Sequence, residues 1–382
     1  MKFRIFAYAI LSFAFINANG QSSFFKSRFN NTLNSGNSYN SKIRIKKYST
    51  DGNTYNFLLL GYYLNANNMM YKSTNDISYL ENNADVIKGI RESGLQNPKN
   101  GNSASYRWTA KIKSNQSNYS KNNQEFILYE GYVFRYIAEY YYLVSKLPNK
   151  SGLEVDVDFI KADFFKWYKL SMSSFGDDSL LQSLRTHMGS HWATLAMYLY
   201  ILDNNDADKI IYKKVYSKYS NSLRANLKVV DLDGKKGYIW NSTWDKPFTK
   251  YLVDKSKKTK SEIQDVSHGN HIVQFVLDSY ELHLNDWSLT DIQYFANTLK
   301  YRIWDDNLNK FSDNVDGTSL VGKYKGSGWK QSDGWMKLMM YDRTLYPIYK
   351  KFYLKNASII DSSSLNLQFY SNFTKYENKF GK

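Results

Sequence analysis

The chain has 382 residues, of which 42% are hydrophobic and 17% aromatic, with 34 Tyr and 9 Trp but no Cys. This apolar content is too high for a disordered chain, and the length allows one large domain or two ordinary ones. The absence of cysteine excludes disulfides, thiol nucleophiles and cysteine metal sites. The formal net charge of +16 favours an anionic partner, such as nucleic acid, a membrane surface or an acidic polysaccharide.

The N-terminus has the order of a secretory signal peptide. Lys2 and Arg4 precede an apolar run from Ile5 to Ile16, and small residues follow up to Gly20. We therefore predict a signal peptide over residues 1–20, with cleavage before about Gln21, and a secreted or periplasmic protein. No later segment is long and apolar enough to span a bilayer, so membrane insertion is not expected.

The rest of the chain predicts helices. Residues 21–50 are rich in Ser, Asn and Lys, and we expect them to form a loose leader before a single domain over residues 51–382. Apolar residues then recur at spacings of three and four, as in helices, in TYNFLLLGYYLNANN, EFILYEGYVFRYIAEYYYLVSKL, VDFIKADFFKWYKLSMSSF, HWATLAMYLYILDNNDADKIIYKKVYSKYSNSLRANL, HIVQFVLDSYELH, LTDIQYFANTLKYRIWD and GWMKLMMYDRTLYPIYKKFY. GKKGYIWNSTW and NKFSDNVDGTSLVGKY are typical of short strands or loops inserted between helices.

Helices without βαβ alternation predict an all-α domain of antiparallel helical hairpins. The hairpins can close into an (α/α) toroid or stack as an open solenoid. No fixed repeat of about 34 or about 40 residues recurs, which favours the toroid.

Four of the five histidines lie in two pairs, each at the start of an apolar run. RTHMGSHWATLAMYLYILD contains His187 and His191, and QDVSHGNHIVQFVLDSYELH contains His268 and His271. Residues three or four apart share a face of a helix, so each pair can converge on one ligand. Three interpretations stay open: a metal site, although neither HExxH nor Cys accompanies the pairs; capping and packing; or acid–base and carboxylate-binding chemistry on a polyanion.

Four stretches over about residues 120–350 carry a further signal. In chain order they are NNQEFILYEGYVFRYIAEYYYL, GSHWATLAMYLYILD, DVSHGNHIVQFVLDSYEL and SGWKQSDGWMKLMMYDRTLYP. They resemble, in this order, the early inner helix, the N-H-x-W/Y-A helix, the D-x-S-H-(A/G)-N helix start and the late G-W-x-x-L-x-x-Y-D-P segment of the helical-toroid polysaccharide lyases of alginate and glucuronan. This chain has Ser190 for the family's Asn and Arg343 for its final Pro. The group that neutralises the substrate carboxylate therefore stays open.

The resemblance implies a secreted lyase that cleaves an acidic, uronate-containing polysaccharide by β-elimination. Removal of the C5 proton and expulsion of the O4-linked sugar need a base, an acid and donors to the carboxylate. His268 is the candidate base, Tyr324 in VGKYKGSGW the candidate acid, and His191 a further catalytic residue. The substrate-binding candidates are Asn270, His271, Arg185, Glu130, Trp192, Tyr238, Arg302 and Trp329. We expect no metal or other cofactor, and a monomer.

Other functional classes stay open. A glycoside hydrolase on the same helical toroid would need a carboxylate pair, for which Asp265, Asp333 and Glu130 are available. However, Asp265 is also placed to cap the following helix, and Asp333 to lie in a turn. The chain could instead bind glycans without catalysis. Nucleic-acid binding would suit the charge, but no helix-turn-helix, zinc or RNP signature appears and export argues against it.

Overall fold

The computed structural model describes residues 23–36, 38–95, 106–150, 152–259, 261–320 and 325–381. Over these residues the fold is all-α, as predicted, with a few short strands. The predicted signal peptide lies outside the described residues.

The elements are numbered in chain order. The α-helices are α1 (Phe24–Asn34), α2 (Lys42–Thr50), α3 (Phe57–Thr74), α4 (Ser78–Leu95), α5 (Ile127–Ser145), α6 (Val157–Phe175), α7 (Ser179–Gln182), α8 (Thr186–Leu202), α9 (Asp206–Asn226), α10 (Lys250–Ser256), α11 (Val266–Glu281), α12 (Leu289–Thr298), α13 (Leu345–Asp361) and α14 (Asn366–Phe380). Two antiparallel hairpins are formed by β1 (Lys228–Leu232) with β2 (Lys235–Ile239) and by β3 (Trp304–Asp305) with β4 (Lys310–Phe311). A π-helical turn (Leu299–Ile303) continues α12, and 3₁₀ turns include Thr54–Asn56 and Trp335–Met340.

The longest predicted helical stretch is divided between α8 and α9. Asn205 ends the break and caps α9, because its side chain accepts hydrogen bonds from the backbone N–H groups of Ala207 and Asp208 at 3.0 and 3.1 Å. β2 lies within the predicted strand or loop insertion GKKGYIWNSTW, whereas β1 precedes it. The turn residues of the hairpin, Asp233 and Gly234, have φ values of 53° and 81°, the left-handed conformation that suits a two-residue hairpin turn.

The described residues 23–36 and 38–50 do not form the loose leader that we expected for residues 21–50, since α1 and α2 both pack on the domain. Phe25, Phe29 and Leu33 recur every four residues along α1 and are buried. The Phe25 ring stacks on Phe373 of α14 at a centroid distance of 4.2 Å, and α2 packs against α4 with Ile45 buried. The prediction was wrong because a few well-spaced apolar side chains suffice to pack these helices, and polar residues such as Ser49 are buried beside them.

Five long helices form a connected set in the interior. α3 packs against α5, α5 against α8, α8 against α11, and α14 against α3. The 3₁₀ turn Trp335–Met340 contacts both α11 and α14. These helices are buried over most of their faces, as α8 and α11 illustrate, which is the pattern of helices surrounded by protein.

The remaining long helices cover the interior set. α4 packs on α3, α6 on α5 and α8, α9 on α8, α12 on α11, and α1 and α13 on α14. In the part of the chain that the structure describes, no helix is long and apolar enough to cross a membrane.

Candidate active site

A cavity of about 270 Å³ lies where the first two turns of α3, α5, α8 and α11 meet, beside the start of α14. It is lined by His187, His191, His268, His271, Tyr62, Tyr129, Tyr132, Asn270, Ser267, Ser327, Lys330, Leu58, Leu128 and Leu365. None of these described lining residues is Asp or Glu. The cavity therefore offers hydroxyl, amide, imidazole and ammonium groups to a ligand, and no carboxylate.

The two histidine pairs come together in this cavity. The ring centroids of His187 and His268 lie 4.4 Å apart, and those of His191 and His271 lie 4.8 Å apart. Each imidazole of α8 thus contacts one of α11. His191 and His268, the two histidines that the sequence marks as candidate catalytic residues, both line this cavity.

Asp265 begins α11 and also orients its first histidine. As predicted, it is the N-cap: its carboxylate accepts from the backbone N–H of His268 at 2.9 Å. The same carboxylate lies 2.9 Å from Nδ1 of the His268 ring. Burial opposes the charge of Asp265, but hydrogen bonds from His268 and Ser267 hold its pKa below the ordinary value. When the Nδ1 proton of His268 is donated to Asp265, its Nε2 carries the free lone pair.

Asp333 orients His271, the second histidine of α11, in the same way. It lies in a turn, as predicted, and its Oδ2 is 2.6 Å from Nδ1 of His271. Arg135 donates from Nη2 to the same oxygen at 2.5 Å, and the Tyr136 hydroxyl donates to Oδ1. Arg135 and Asp333 are both buried. The two aspartates that were available for hydrolysis are thus each bound to an imidazole.

Three of the clustered imidazoles are held neutral. Burial lowers the pKa of His187, His191 and His271 well below 6.5, and neighbouring imidazoles and, for the latter two, the Arg135 guanidinium lower it further. Nδ1 of both His187 and His191 is buried without a hydrogen-bond partner among the described residues. Neutral imidazoles can each donate one proton and accept another, which suits them to proton transfer.

Asn270 presents its amide nitrogen to the cavity. Its Oδ1 accepts from the backbone N–H groups of Gly334 and Trp335 at 2.6 and 3.0 Å. The carbonyl end of the side chain is therefore committed, and Nδ2 is the end available to a ligand. Lys330 lies exposed at the rim and adds a positive charge.

Tyr132 forms the floor of the cavity between the histidines. Its ring centroid is 5.1 Å from that of His191 and 5.2 Å from that of His271. Its hydroxyl is buried without a hydrogen-bond partner among the described residues. Burial, followed by the charge of Asp333, raises the pKa of Tyr132 well above 10, so the phenol stays protonated.

Sequence reasoning did not select Tyr132 or Lys330 for the site. Tyr132 lies on the same face of α5 as Tyr129, three residues earlier, and this spacing was the available signal. Lys330 was hidden among the many lysines spread along the chain.

Two of the predicted substrate-binding residues lie in the protein interior instead of the cavity lining. The Glu130 carboxylate accepts from Lys166 and from Nε1 of Trp167, the latter at 2.7 Å. Trp192 is buried against Gly131, where any Cβ would lie 2.6 Å from its indole nitrogen. Both residues fix the packing of α5 against its neighbours.

Other predicted site residues have different surroundings. Tyr238 lies in β2 and donates to Asp291 at 2.6 Å, and Arg185, just before α8, donates to Ser242 at 2.6 Å. Trp329 packs against Phe369 at a ring distance of 6.1 Å. Arg302 is exposed in the π-helical turn after α12 and does not line the cavity. Tyr324 lies outside the described residues.

No three or more of the described His, Asp and Glu side chains are arranged to hold a metal ion. Comparisons with known proteins find no match to a protein-family model, to a curated protein or to a solved structure.

Proposed function

We propose that the protein is an (α/α)-toroid lyase that cleaves an acidic, uronate-containing polysaccharide by β-elimination. The toroid is supported by the order of contacts, in which each interior helix packs on the next and the 3₁₀ turn Trp335–Met340 joins α11 to α14. The observation that carries the activity is the cavity itself, which combines neutral imidazoles, a free amide donor and no lining carboxylate among the described residues.

An anionic sugar suits the electrostatics of this cavity. The first turns of α3, α5, α8 and α11 surround it, and helix N-termini carry partial positive charge and unpaired N–H groups. Lys330 at the rim adds a full charge. The net charge of +16 would attract a polyanion to the whole molecule at low ionic strength.

Different residues carry out the steps of the elimination. Nδ2 of Asn270 and a neutral His191 imidazole donate to the uronate carboxylate, which makes the C5 proton acidic. Nε2 of His268 accepts that proton, and Asp265 stabilises the resulting imidazolium. The electron pair forms the C4–C5 double bond, the C4–O4 bond breaks, and the leaving oxygen takes a proton from a tyrosine hydroxyl. Tyr324 is the sequence-based candidate for this donor, and Tyr132 is the candidate inside the described cavity.

Hydrolysis has less support. A glycoside hydrolase uses two carboxyl groups that flank the scissile bond. Asp265 and Asp333 each hold an imidazole, and Glu130 lies outside the cavity lining. A carboxylate beside the uronate would also repel it.

The test is incubation with a panel of uronate polymers while ultraviolet absorbance and new reducing ends are both measured. A lyase raises both signals, because each cut leaves a conjugated unsaturated sugar, whereas a hydrolase raises only the reducing ends and a binding protein raises neither. We expect His268→Asn to lower turnover by about 10²-fold or more, as for the loss of a general base.

The matched control is His283→Asn, which alters the one histidine outside the pairs. His283 is exposed and has a φ of 55°, a conformation that asparagine adopts readily. This variant should keep wild-type turnover. Full activity in His268→Asn would reject the assigned base, and reducing ends without absorbance would replace the lyase by a hydrolase.

A further inference from the structure

Three aromatic side chains form a shelf beside the cavity: Tyr55, Phe126 and Tyr129. The ring centroid of Tyr55 lies 5.4 Å from that of Phe126 and 5.3 Å from that of Tyr129, and the latter two lie 5.6 Å apart. All three side chains are partly exposed. Tyr129 also lines the cavity, so the shelf is continuous with the candidate active site.

The shelf is held in place by the backbone around it. The backbone N–H of Thr54 donates to the carbonyl of Thr109 at 3.2 Å. The side-chain oxygen of Asn53 accepts from the backbone N–H of Tyr55 at 3.2 Å and from that of Lys111 at 3.1 Å. Tyr55 is thereby joined to the loop that leads to Phe126. A surface fixed in this way loses little conformational freedom when a ligand binds.

The loop beside the shelf is basic. Lys111, Lys113 and Lys121 are exposed along residues 106–126. Glu125, the acidic residue of this loop, is paired with Arg107 at 3.1 Å. The shelf thus joins flat apolar faces to positive charge, a combination that suits a chain of uronate sugars better than an apolar peptide.

We infer that the shelf is a subsite for the sugar next to the one held in the cavity. Aromatic rings offer the C–H face of a pyranose a flat apolar surface, while the lysines of the adjoining loop attract its carboxylate. The inference rests on the proposed function and extends it, because it makes the preferred substrate a chain that reaches beyond the reacting sugar. The shelf contributes to binding and does not take part in proton transfer.

The test uses uronate oligosaccharides of increasing length with Tyr55→Ala and Phe126→Ala. We expect KM for long substrates to rise about three- to tenfold, the effect of losing one aromatic contact, with kcat unchanged. The shortest cleaved substrate, which does not reach the shelf, should keep its wild-type KM. Tyr142→Ala is the matched control, since Tyr142 is partly exposed near the other end of α5, and it should leave KM unchanged at every length.

Two outcomes separate the shelf from the proposed function. If the wild type cleaves the substrates and both shelf variants keep its KM at every length, the shelf is not a sugar subsite and the proposed lyase activity is unaffected. If no uronate polymer yields unsaturated product, the proposed lyase activity is wrong. Calorimetric binding of the same oligosaccharides then tests separately whether the shelf binds sugar. Three- to tenfold weaker binding of long chains by Tyr55→Ala then supports it, and equal binding overturns it.

Discussion

The buried ion pair between Arg135 and Asp333 gives the sharpest test of how the cavity is supported. Both side chains are at most 1% exposed. Nε and Nη1 of Arg135 have no hydrogen-bond partner among the described residues, Nη2 donates to Tyr136 and Asp333, and the Asp333 carboxylate balances the charge of the guanidinium. The rings of Tyr132 and Tyr136 flank it at 4.9 and 4.4 Å. Asp333→Asn keeps the shape of the side chain but leaves Arg135 buried and uncompensated, which should lower the free energy of unfolding by about 3–5 kcal/mol.

Urea unfolding followed by tryptophan fluorescence measures this loss, and a double-mutant cycle isolates the pair. Arg135→Met alone should lower the free energy of unfolding by a similar amount, because the buried Asp333 carboxylate keeps its contacts with Tyr136 and His271 but loses its cation. The double variant removes both charges and should lose clearly less than the sum of the two single losses. If each single variant loses under about 1 kcal/mol and the losses add, the pair does not hold the site in the way described.

Two further predictions concern the cavity side chains. Stability should fall as pH drops below about 6.5, because His187, His191 and His271 stay neutral when folded and take up protons on unfolding, each contributing up to about 1.4 kcal/mol per pH unit. Burial raises the pKa of Asp278 to about 6, so this group takes up a proton in the folded state and raises stability as pH falls from about 6 to 4. Asp278→Asn removes that contribution and should make the loss of stability at acidic pH steeper. Equal urea midpoints at neutral and acidic pH would contradict the predicted loss of stability. Asn270→Ala should lower the free energy of unfolding by about 1–3 kcal/mol in the same urea experiment, since two backbone N–H groups lose their acceptor. Asn270→Asp keeps that acceptor but loses the amide donor, so a variant with full turnover would exclude the amide from catalysis.

The helices that were clearest in the sequence are those with long apolar runs, such as α5 and α8. α14 (Asn366–Phe380) was missed although most of its residues are buried. Its interior positions include Gln368, which donates to Asn65 at 2.9 Å, and Asn372, which donates to the carbonyl of Ser332 at 2.7 Å. Leu367, Tyr370, Phe373 and Tyr376 of this helix are spaced as on one helix face, but polar side chains that bond to one another fill the other buried positions and interrupt the apolar run.

The residues of the candidate site were also only partly predictable from the sequence. The histidine pairs were visible because neighbours three or four apart along a helix meet on one face. Their supporting groups were not, since Asp333 lies 62 residues from His271 and 198 residues from Arg135. Glu130 and Trp192 were selected from motifs, but a motif does not reveal whether a side chain faces the cavity or a neighbouring helix.

Gly61 of α3 sets the shape of the cavity without lining it. A Cβ at this position would lie 2.5 Å from Cε1 of Tyr132, far inside contact distance. Any larger residue would push the Tyr132 ring out of its place between His191 and His271, and the floor of the cavity would close or tilt. Proteins that share this site should therefore keep a glycine here together with the histidines. Where the glycine is replaced, a different ligand is expected even if all four imidazoles remain.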